Sequence, residues 1–464
     1  MPGWLSFVLP LSIYMLTLDG TISTNGVGSS IIGMQYAMWK FGSFSLGVPP
    51  NLLVNTVDYA VFQGKAYSAI APGAAILSYP FAAVGFSLGG GSLVLPGPAQ
   101  VADEAFLAIS ASVAVYFVYR ICRLYAGDRA SLLVALAVAF ATPVWPFATV
   151  VFENAPSLML SVVAVYCVLR SPASPSSVRV PFAGGLLLGL ASLVEYAAGL
   201  FVLPLAVFLR YRTGKWRSLL AFAIPFSIGP IADAVYNFAL FGNPLIFPEQ
   251  LKSGTAVPVS GLLSSFDPGS TLLHVLLYLE SPYRGVVFLC PIMVFGFYAL
   301  YRDWSVNMKS ESLLFLTLFC LTLVFYSSWS DWAGGLAYGP RFLTVAAPYA
   351  LVPIAPYLER EGGSRGRIVV FGLIAYSSLI QGAGALTSAF SVIGSPRTFQ
   401  PLALNLPWLV GGRLDSWWIS WGRLGATVAP LVFVGMVYLV LWGAAFVLSR
   451  GVSAAGPETS EGHR

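Results

Sequence analysis

Hydrophobic residues gather in blocks long enough to cross a bilayer, for which roughly 20 residues are needed and fewer where the bilayer thins or helix ends snorkel. The blocks run over 4–18, 105–122, 130–149, 156–169, 181–195, 196–209, 219–240, 285–301, 313–326, 342–357, 368–385 and 427–448. They predict a helical chain with roughly twelve crossings. Basic residues punctuate alternate connections, at 120–129, 170–179, 210–217, 302–309 and 359–367. Lys and Arg favour the cytoplasmic side of a membrane, so these connections, both termini and the tail after Arg450 are expected there. The apolar run 70–88 breaks the alternation, because a crossing there would turn every later basic loop outward. Pro72, Gly73, Pro80 and Gly85, with GGGSLVLPGP after them, are expected to interrupt a spanning helix, so the run reads as re-entrant or interfacial. Residues 19–104 thus form one long outer loop. The first block has neither a charged leader nor a small-residue cleavage site and reads as a retained helix. The tightest pair of crossings is 181–209, with Glu195 at the turn.

Composition supports this class. Of 464 residues, 57% are hydrophobic and 9% charged, and mean hydropathy is +0.79. That leaves too few polar side chains to cover a soluble globule. The net charge of +5 belongs to the topology signal, and no nucleic-acid partner is expected. Cys122, Cys167, Cys290 and Cys320 lie singly in apolar runs without CxxC spacing, so neither a disulfide nor a zinc site is predicted. The expectation is an all-α, polytopic, single membrane-embedded domain over 1–464. It has a core at 1–357 and C-terminal helices at 358–464, the latter with a second outer loop at 386–425.

Ionisable groups are costly in such a chain, and their placement is informative. The first outer loop gathers Asp19, Lys40, Asp58, Lys65, Tyr67, Asp103 and Glu104. Later outer connections add Glu153 with Asn154, then Glu249, Lys252, Asp267, His274, Glu280 and Arg284. Asp331, Tyr338 and Arg341 follow with Trp329 and Trp332, and then Arg397, Arg413 and Asp415. One-sided placement of carboxylates and aromatics suggests chemistry on a lipid-carried substrate at the outer surface. Sugar transfer from a polyprenyl phosphate needs a carboxylate to take the acceptor's proton, cations to hold the departing phosphate, and aromatic faces for sugar and prenyl chain. Asp19, Asp58 and Glu153 are the candidate carboxylates; Lys65, Arg284 and Arg341 are the candidate phosphate partners, an Arg offering the bidentate match. The tryptophans also suit plain interfacial anchoring. Glu195 reads either as a substrate-facing carboxylate or as an interfacial turn residue, and Asp233 as a structural polar contact. His274 alone defines no metal site. The glycines of GGLLLGLAS suit close helix packing.

The segments DYAVFQGKAYSAIAPG, ATPVWPFATVVFEN, GGLLLGLASLVEY, SPYRG and YSSWSDWAGGLAYGPRFL spread over most of 23–356. Together they resemble the GT-C superfamily of integral-membrane glycosyltransferases that use polyprenyl-phosphate sugars, in particular its prokaryotic mannosyltransferase-like branch. The resemblance implies a polyprenyl-phosphate sugar donor, membrane lipid and a glycan, lipid or protein acceptor as partners. It implies a plasma-membrane location with the site on the outer face. Asp58, Glu153 and Asp19 are then the expected catalytic residues, and Lys65, Tyr67, Glu195, Arg284, Asp331, Tyr338 and Arg341 the expected substrate contacts. No cofactor is expected; a divalent metal stays open. Two departures stand out. Gly26 occupies the position after Thr24-Asn25 where the branch carries an acidic residue, and Ala69-Ile70 follows Tyr67-Ser68 where an acidic and a basic residue are usual. Asp19 or Asp58 is the expected replacement. The alternative is a protein of this fold that binds or translocates lipid-linked sugar without reaction.

Overall fold

The computed structural model describes residues 3–19, 26–93, 95, 97–171, 178–252, 266–304, 309–360, 363–387 and 401–414. Arg397, Asp415, the block 427–448 and the tail, for which the sequence carried expectations, lie outside these residues. In chain order the helices are α1 (Leu5–Leu16), α2 (Gly26–Phe41), α3 (Pro72–Leu88), α4 (Pro98–Cys122), α5 (Asp128–Phe140), α6 (Val144–Ala148) and α7 (Asn154–Arg170). They continue with α8 (Arg179–Val194), α9 (Val202–Thr213), α10 (Trp216–Phe226), α11 (Ile228–Phe241), α12 (Thr271–Glu280) and α13 (Val286–Leu289). The last are α14 (Pro291–Trp304), α15 (Lys309–Ser327), α16 (Ala347–Leu351), α17 (Ile354–Arg360), α18 (Ser364–Thr387) and α19 (Leu406–Val410).

Four helical stretches among the described residues have the length and apolarity to cross a membrane: Pro98–Cys122, Trp216–Phe241, Lys309–Ser327 and Arg365–Thr387. Shorter apolar helices, including Leu5–Leu16, Asn154–Arg170 and Arg179–Val194, match other blocks. Proline divides the rest. Pro143 separates α5 from α6, and the block 342–357, with Pro348, Pro353 and Pro356, becomes a 3-10 turn followed by α16 and α17.

Close packing of α8 on α10 and α11 follows from the GxxxG spacing of Gly185 and Gly189. A Cβ at Gly185 would lie 2.0 Å from the Phe222 carbonyl oxygen, one at Gly189 2.4 Å from that of Phe226, and one at Gly229 1.8 Å from that of Gly189. The helices therefore touch backbone to backbone.

The first long loop is more ordered than an all-α reading allows. It carries an antiparallel sheet of β1 (Ser45–Val48), β2 (Asn51–Leu52), β3 (Tyr59–Phe62) and β4 (Lys65–Ser68), in the order β2-β1-β4-β3. Gln63 and Gly64 join β3 to β4 with φ of 48° and 77°, both left-handed, as the two-residue turn that matches strand twist requires. The sheet docks on α11 through aromatic rings: Phe44 meets Tyr236 at 5.3 Å, and Phe62 and Tyr67 meet Phe241 at 5.5 and 5.6 Å.

The run 72–88 is a continuous helix, contrary to the expected interruption. Pro72 stands at the first helical turn, where no N–H is needed, and Pro80 is accommodated inside the helix. Packing holds α3 in place. A Cβ at Gly85 would lie 2.4 Å from the Ala99 Cα, and one at Gly73 2.5 Å from the Leu193 carbonyl oxygen. Gln35 of α2 donates from Nε2 to Ser78 Oγ at 2.7 Å and to Asp103 Oδ1 at 2.9 Å, tying α2, α3 and α4 together. Asp103 is thus part of a structural network, and Glu104 accepts from Gln100 at 2.8 Å.

Basic connections meet at the other end of the helices. There the Gly127 amide donates to Glu359 at 2.5 Å, Arg212 pairs with Glu311 at 3.2 Å, and Arg123 pairs with Asp128 at 2.6 Å.

Candidate active site

Several helix ends converge beneath the sheet. The amide of Asp19, just past α1, donates to Thr149 O at 2.8 Å, which places Asp19 beside the link from α6 to α7. Asp58 precedes β3 and is held by its backbone. Its amide donates to Thr56 Oγ1 at 3.1 Å, and its carbonyl accepts from Ser30 Oγ at 2.7 Å and from the Ala69 amide at 3.1 Å. Thr56 in turn donates to Gly26 O at 2.7 Å. The side chain then points at α2: a Cβ at Gly26 would lie 2.3 Å from Asp58 Oδ2. The other oxygen, Oδ1, pairs with Lys252 Nζ at 2.5 Å.

Lys252 follows the 3-10 turn Pro248–Leu251 and bridges by its backbone to Ala60 of β3. Glu249 on that turn has its carboxyl pushed up by burial, with Lys252 opposing. Burial also lowers the Lys252 ammonium's affinity for its proton, yet Asp58 and Glu249 outweigh it and the net shift is upward.

Glu153 stands immediately before α7. Its Oε2 is sealed from solvent and has no hydrogen-bond partner. Burial pushes the carboxyl up to about 7; Arg341 opposes the shift, whereas Glu195 and Asp58 add to it. The Arg341 guanidinium lies 4.9 Å from the Phe152 ring and 4.4 Å from that of Phe342, and its Nε has no hydrogen-bond partner. Phe342 stacks on Tyr326 at 4.0 Å, and the Tyr326 hydroxyl donates to Glu195. Glu195 sits at the break between α8 and the 3-10 turn Tyr196–Phe201, and burial raises its carboxyl against Tyr326, Ser157 and Arg341. Asp58, Glu153, Glu195 and Arg341 thus share one electrostatic neighbourhood. It combines carboxylates with a cation whose Nε is unpaired, walled by aromatic rings.

Other sequence candidates have different employment. Arg284 is fully buried and donates to the carbonyls of Ala337 at 2.5 Å, Gly339 at 3.0 Å and Gly335 at 3.0 Å, and to the Tyr283 hydroxyl at 2.7 Å. Burial lowers its pKa to about 10; it clamps the 335–339 segment. Asp331 accepts from the Gly335 amide at 3.1 Å and shapes the same loop. Tyr338 is buried, with its hydroxyl donating to Ile380 O at 2.5 Å. Lys65 is exposed at the hairpin, and Tyr67 packs on Phe241. Trp332 stacks on His274 at 4.8 Å and Trp329 meets Phe266 at 5.1 Å, so both have protein partners. Lys252 and Glu249 were missed as site residues. They lie on a long connection, and only the bridge from Lys252 to Ala60 brings them to Asp58.

The fold is an apolar helical bundle with a folded loop over an acidic and cationic cluster, and comparisons with known proteins bear on that fold. Residues 94–232 match the family described as dolichyl-phosphate-mannose-protein mannosyltransferase. ArnT from Cupriavidus metallidurans bound to undecaprenyl phosphate is similar in structure, with a TM-score of 0.56, 16% identity, and coverage of 97% of this chain and 72% of that one. The same protein in the apo state gives a TM-score of 0.53 at 15% identity, again over 97% and 72% of the two chains. The archaeal oligosaccharyltransferase AglB from Archaeoglobus fulgidus, in complex with an inhibitory peptide and a dolichol-phosphate, gives a TM-score of 0.51 at 11% identity over 84% of this chain and 56% of that one. No curated protein matches the sequence. The chain has the fold of ArnT from Cupriavidus metallidurans.

Proposed function

We propose that the protein transfers a sugar from a polyprenyl-phosphate-linked donor to a glycan, lipid or protein acceptor on the outer face of the plasma membrane. The observation that carries this reading is the position of Asp58 Oδ2, within 2.3 Å of where a Cβ at Gly26 would stand. The resemblance puts an acidic side chain at position 26; in this chain Asp58 delivers a carboxylate into that space from the opposite direction. A functional group is thereby retained although the position that usually carries it has lost its side chain.

In the proposed step the acceptor oxygen attacks the anomeric carbon while Asp58 takes the acceptor's proton. The carbon–oxygen bond to the phosphate breaks, and polyprenyl phosphate leaves with the electron pair. Arg341 and Lys252 stabilise the charge that develops on the departing phosphate. Burial that raises the Glu153 carboxyl leaves it largely protonated below about pH 7, where it leaves Arg341 to the phosphate. The same reading puts both termini in the cytoplasm, supported by the placement of Lys and Arg along the chain.

The test is transfer of radiolabelled sugar from a panel of polyprenyl-phosphate sugars by the purified protein in lipid, with membrane extract as acceptor source. It is run with EDTA and again with a divalent ion, which decides metal dependence. Asp58→Asn is expected to lose activity by about 10²–10⁴-fold, the usual worth of a positioned base, with an unchanged unfolding temperature. Full turnover in that variant rules out Asp58 as the base. Donor binding without transfer from any donor supports the non-reacting, lipid-sugar-binding alternative instead.

A further inference from the structure

The break after α8 sends two consecutive side chains to different places. Glu195 joins Tyr326 in the carboxylate site. Tyr196 belongs to another group, in which Asp233, Tyr236 and Asn237 share one face of α11 at i, i+3 and i+4 spacing. Asp233 is 6% exposed, Tyr236 8% and Asn237 0%. Part of their hydrogen-bonding capacity is unspent. Asn237 Nδ2 donates to Asp233 Oδ2 at 3.2 Å. The Tyr196 hydroxyl also faces the Asp233 carboxylate, whereas Asn237 Oδ1 and the Tyr236 hydroxyl are sealed from solvent without partners. Buried polar groups normally have partners, so two orphans beside a buried carboxylate point to a ligand. Tyr196 also lies within electrostatic reach of Glu249, so this cluster adjoins the site above.

The chemistry of the orphans selects the ligand. A carboxylate oxygen and an amide oxygen only accept, phenols accept or donate, and the cluster contributes no cation. A phosphate is therefore repelled, whereas a neutral group with several hydroxyl donors satisfies it. Apolar walls are present: Tyr196 meets Phe247 at 5.0 Å, and Tyr236 meets Phe44 at 5.3 Å. We propose that Tyr196, Asp233, Tyr236 and Asn237 form a saccharide subsite that reads ring hydroxyls, adjoining the phosphate-facing groups and distinct from them. This rests on the glycosyl-transfer reading and names what confers sugar specificity in it.

The experiment measures binding to the full chain in nanodiscs for three probes: undecaprenyl phosphate, undecaprenyl phosphate carrying mannose, glucose or galactose, and the free methyl glycosides of those sugars. The wild type is expected to bind at least one sugar-bearing lipid about tenfold tighter than the bare lipid, because polar sites discriminate strongly for matching hydroxyls. Asp233→Asn and Tyr236→Phe, both nearly isosteric, should each erase most of that preference without altering affinity for bare undecaprenyl phosphate. Two variants are used so that one folding failure does not decide the matter. If the sugar instead belongs to the acceptor, a methyl glycoside binds alongside bare undecaprenyl phosphate and loses affinity in the same two variants. Equal binding of every sugar probe by wild type and both variants overturns the subsite. Loss of bare undecaprenyl phosphate binding from the wild type refutes the glycosyl-transfer reading, while the glycoside arm still judges the subsite.

Discussion

At the scale of single residues, the proposed base is a carboxylate that reaches the position 26 space from another part of the chain. Gly26 and Asp58 are far apart in number, and the tight approach of Asp58 Oδ2 to α2 is what brings them together. Both were legible as a loss and a candidate replacement; choosing Asp58 over Asp19 needed the hydrogen bonds that fix the Asp58 backbone. Glu153 offers a test by pH. Its folded-state pKa of about 7 exceeds the ordinary 4.5, so the folded protein holds this proton more tightly than the unfolded chain does. The contribution of this group to stability is full below the ordinary value and is lost as pH rises through about 7. The unfolding temperature is expected to fall between about pH 5 and pH 8, and Glu153→Gln should flatten that slope in a thermal scan across the range. Affinity for bare lipid phosphate should decline over the same window, because ionised Glu153 competes for Arg341. A slope that survives in Glu153→Gln assigns the titration to another group.

At the scale of elements, the glycine pattern was readable and the sheet was not. GGLLLG carries its own meaning, since small residues four apart on an apolar helix let another backbone approach. Gly189→Leu is expected to lower stability by about 1–3 kcal/mol, the usual cost of overpacking, seen as a reduced unfolding temperature in detergent. Gly372→Ala in α18 is the control: a Cβ there has nothing within 4 Å, and no loss is expected. An equal drop in both variants refutes the packing argument. The β3–β4 hairpin had a signal in Gln63-Gly64 between two short β-prone runs. Apolar content hid it, because in this composition every apolar run first reads as helix. The break in α3 expected from its prolines failed because packing on α4 and α8 outweighs local propensity.

At the scale of the whole molecule, segregation of charge sets the arrangement. Sheet and site lie at one end, and the basic connections meet through Glu359 and Glu311 at the other. Single cysteines in a Cys320→Ser background test the orientation. Lys65→Cys, exposed on the hairpin, should react with a membrane-impermeant maleimide in intact cells, and Arg365→Cys, also exposed, only after permeabilisation. The reverse pattern inverts the proposed topology.

Helical composition and apolar character were determined by the sequence itself, because apolar block length acts through the bilayer and not through any particular contact, and the placement of Lys and Arg supplies the proposed sidedness in the same way. Tertiary structure alone decided which ionisable groups are already engaged by the protein. Arg284 and Arg341 read alike in the chain, yet one spends its donors on the carbonyls of Ala337, Gly339 and Gly335 while the other keeps an unpaired Nε between two aromatic rings. Lys252 became a site residue only by lying down beside β3. Whether a buried polar group holds the fold together or waits for a ligand depends on partners brought from distant segments, and no local pattern encodes them.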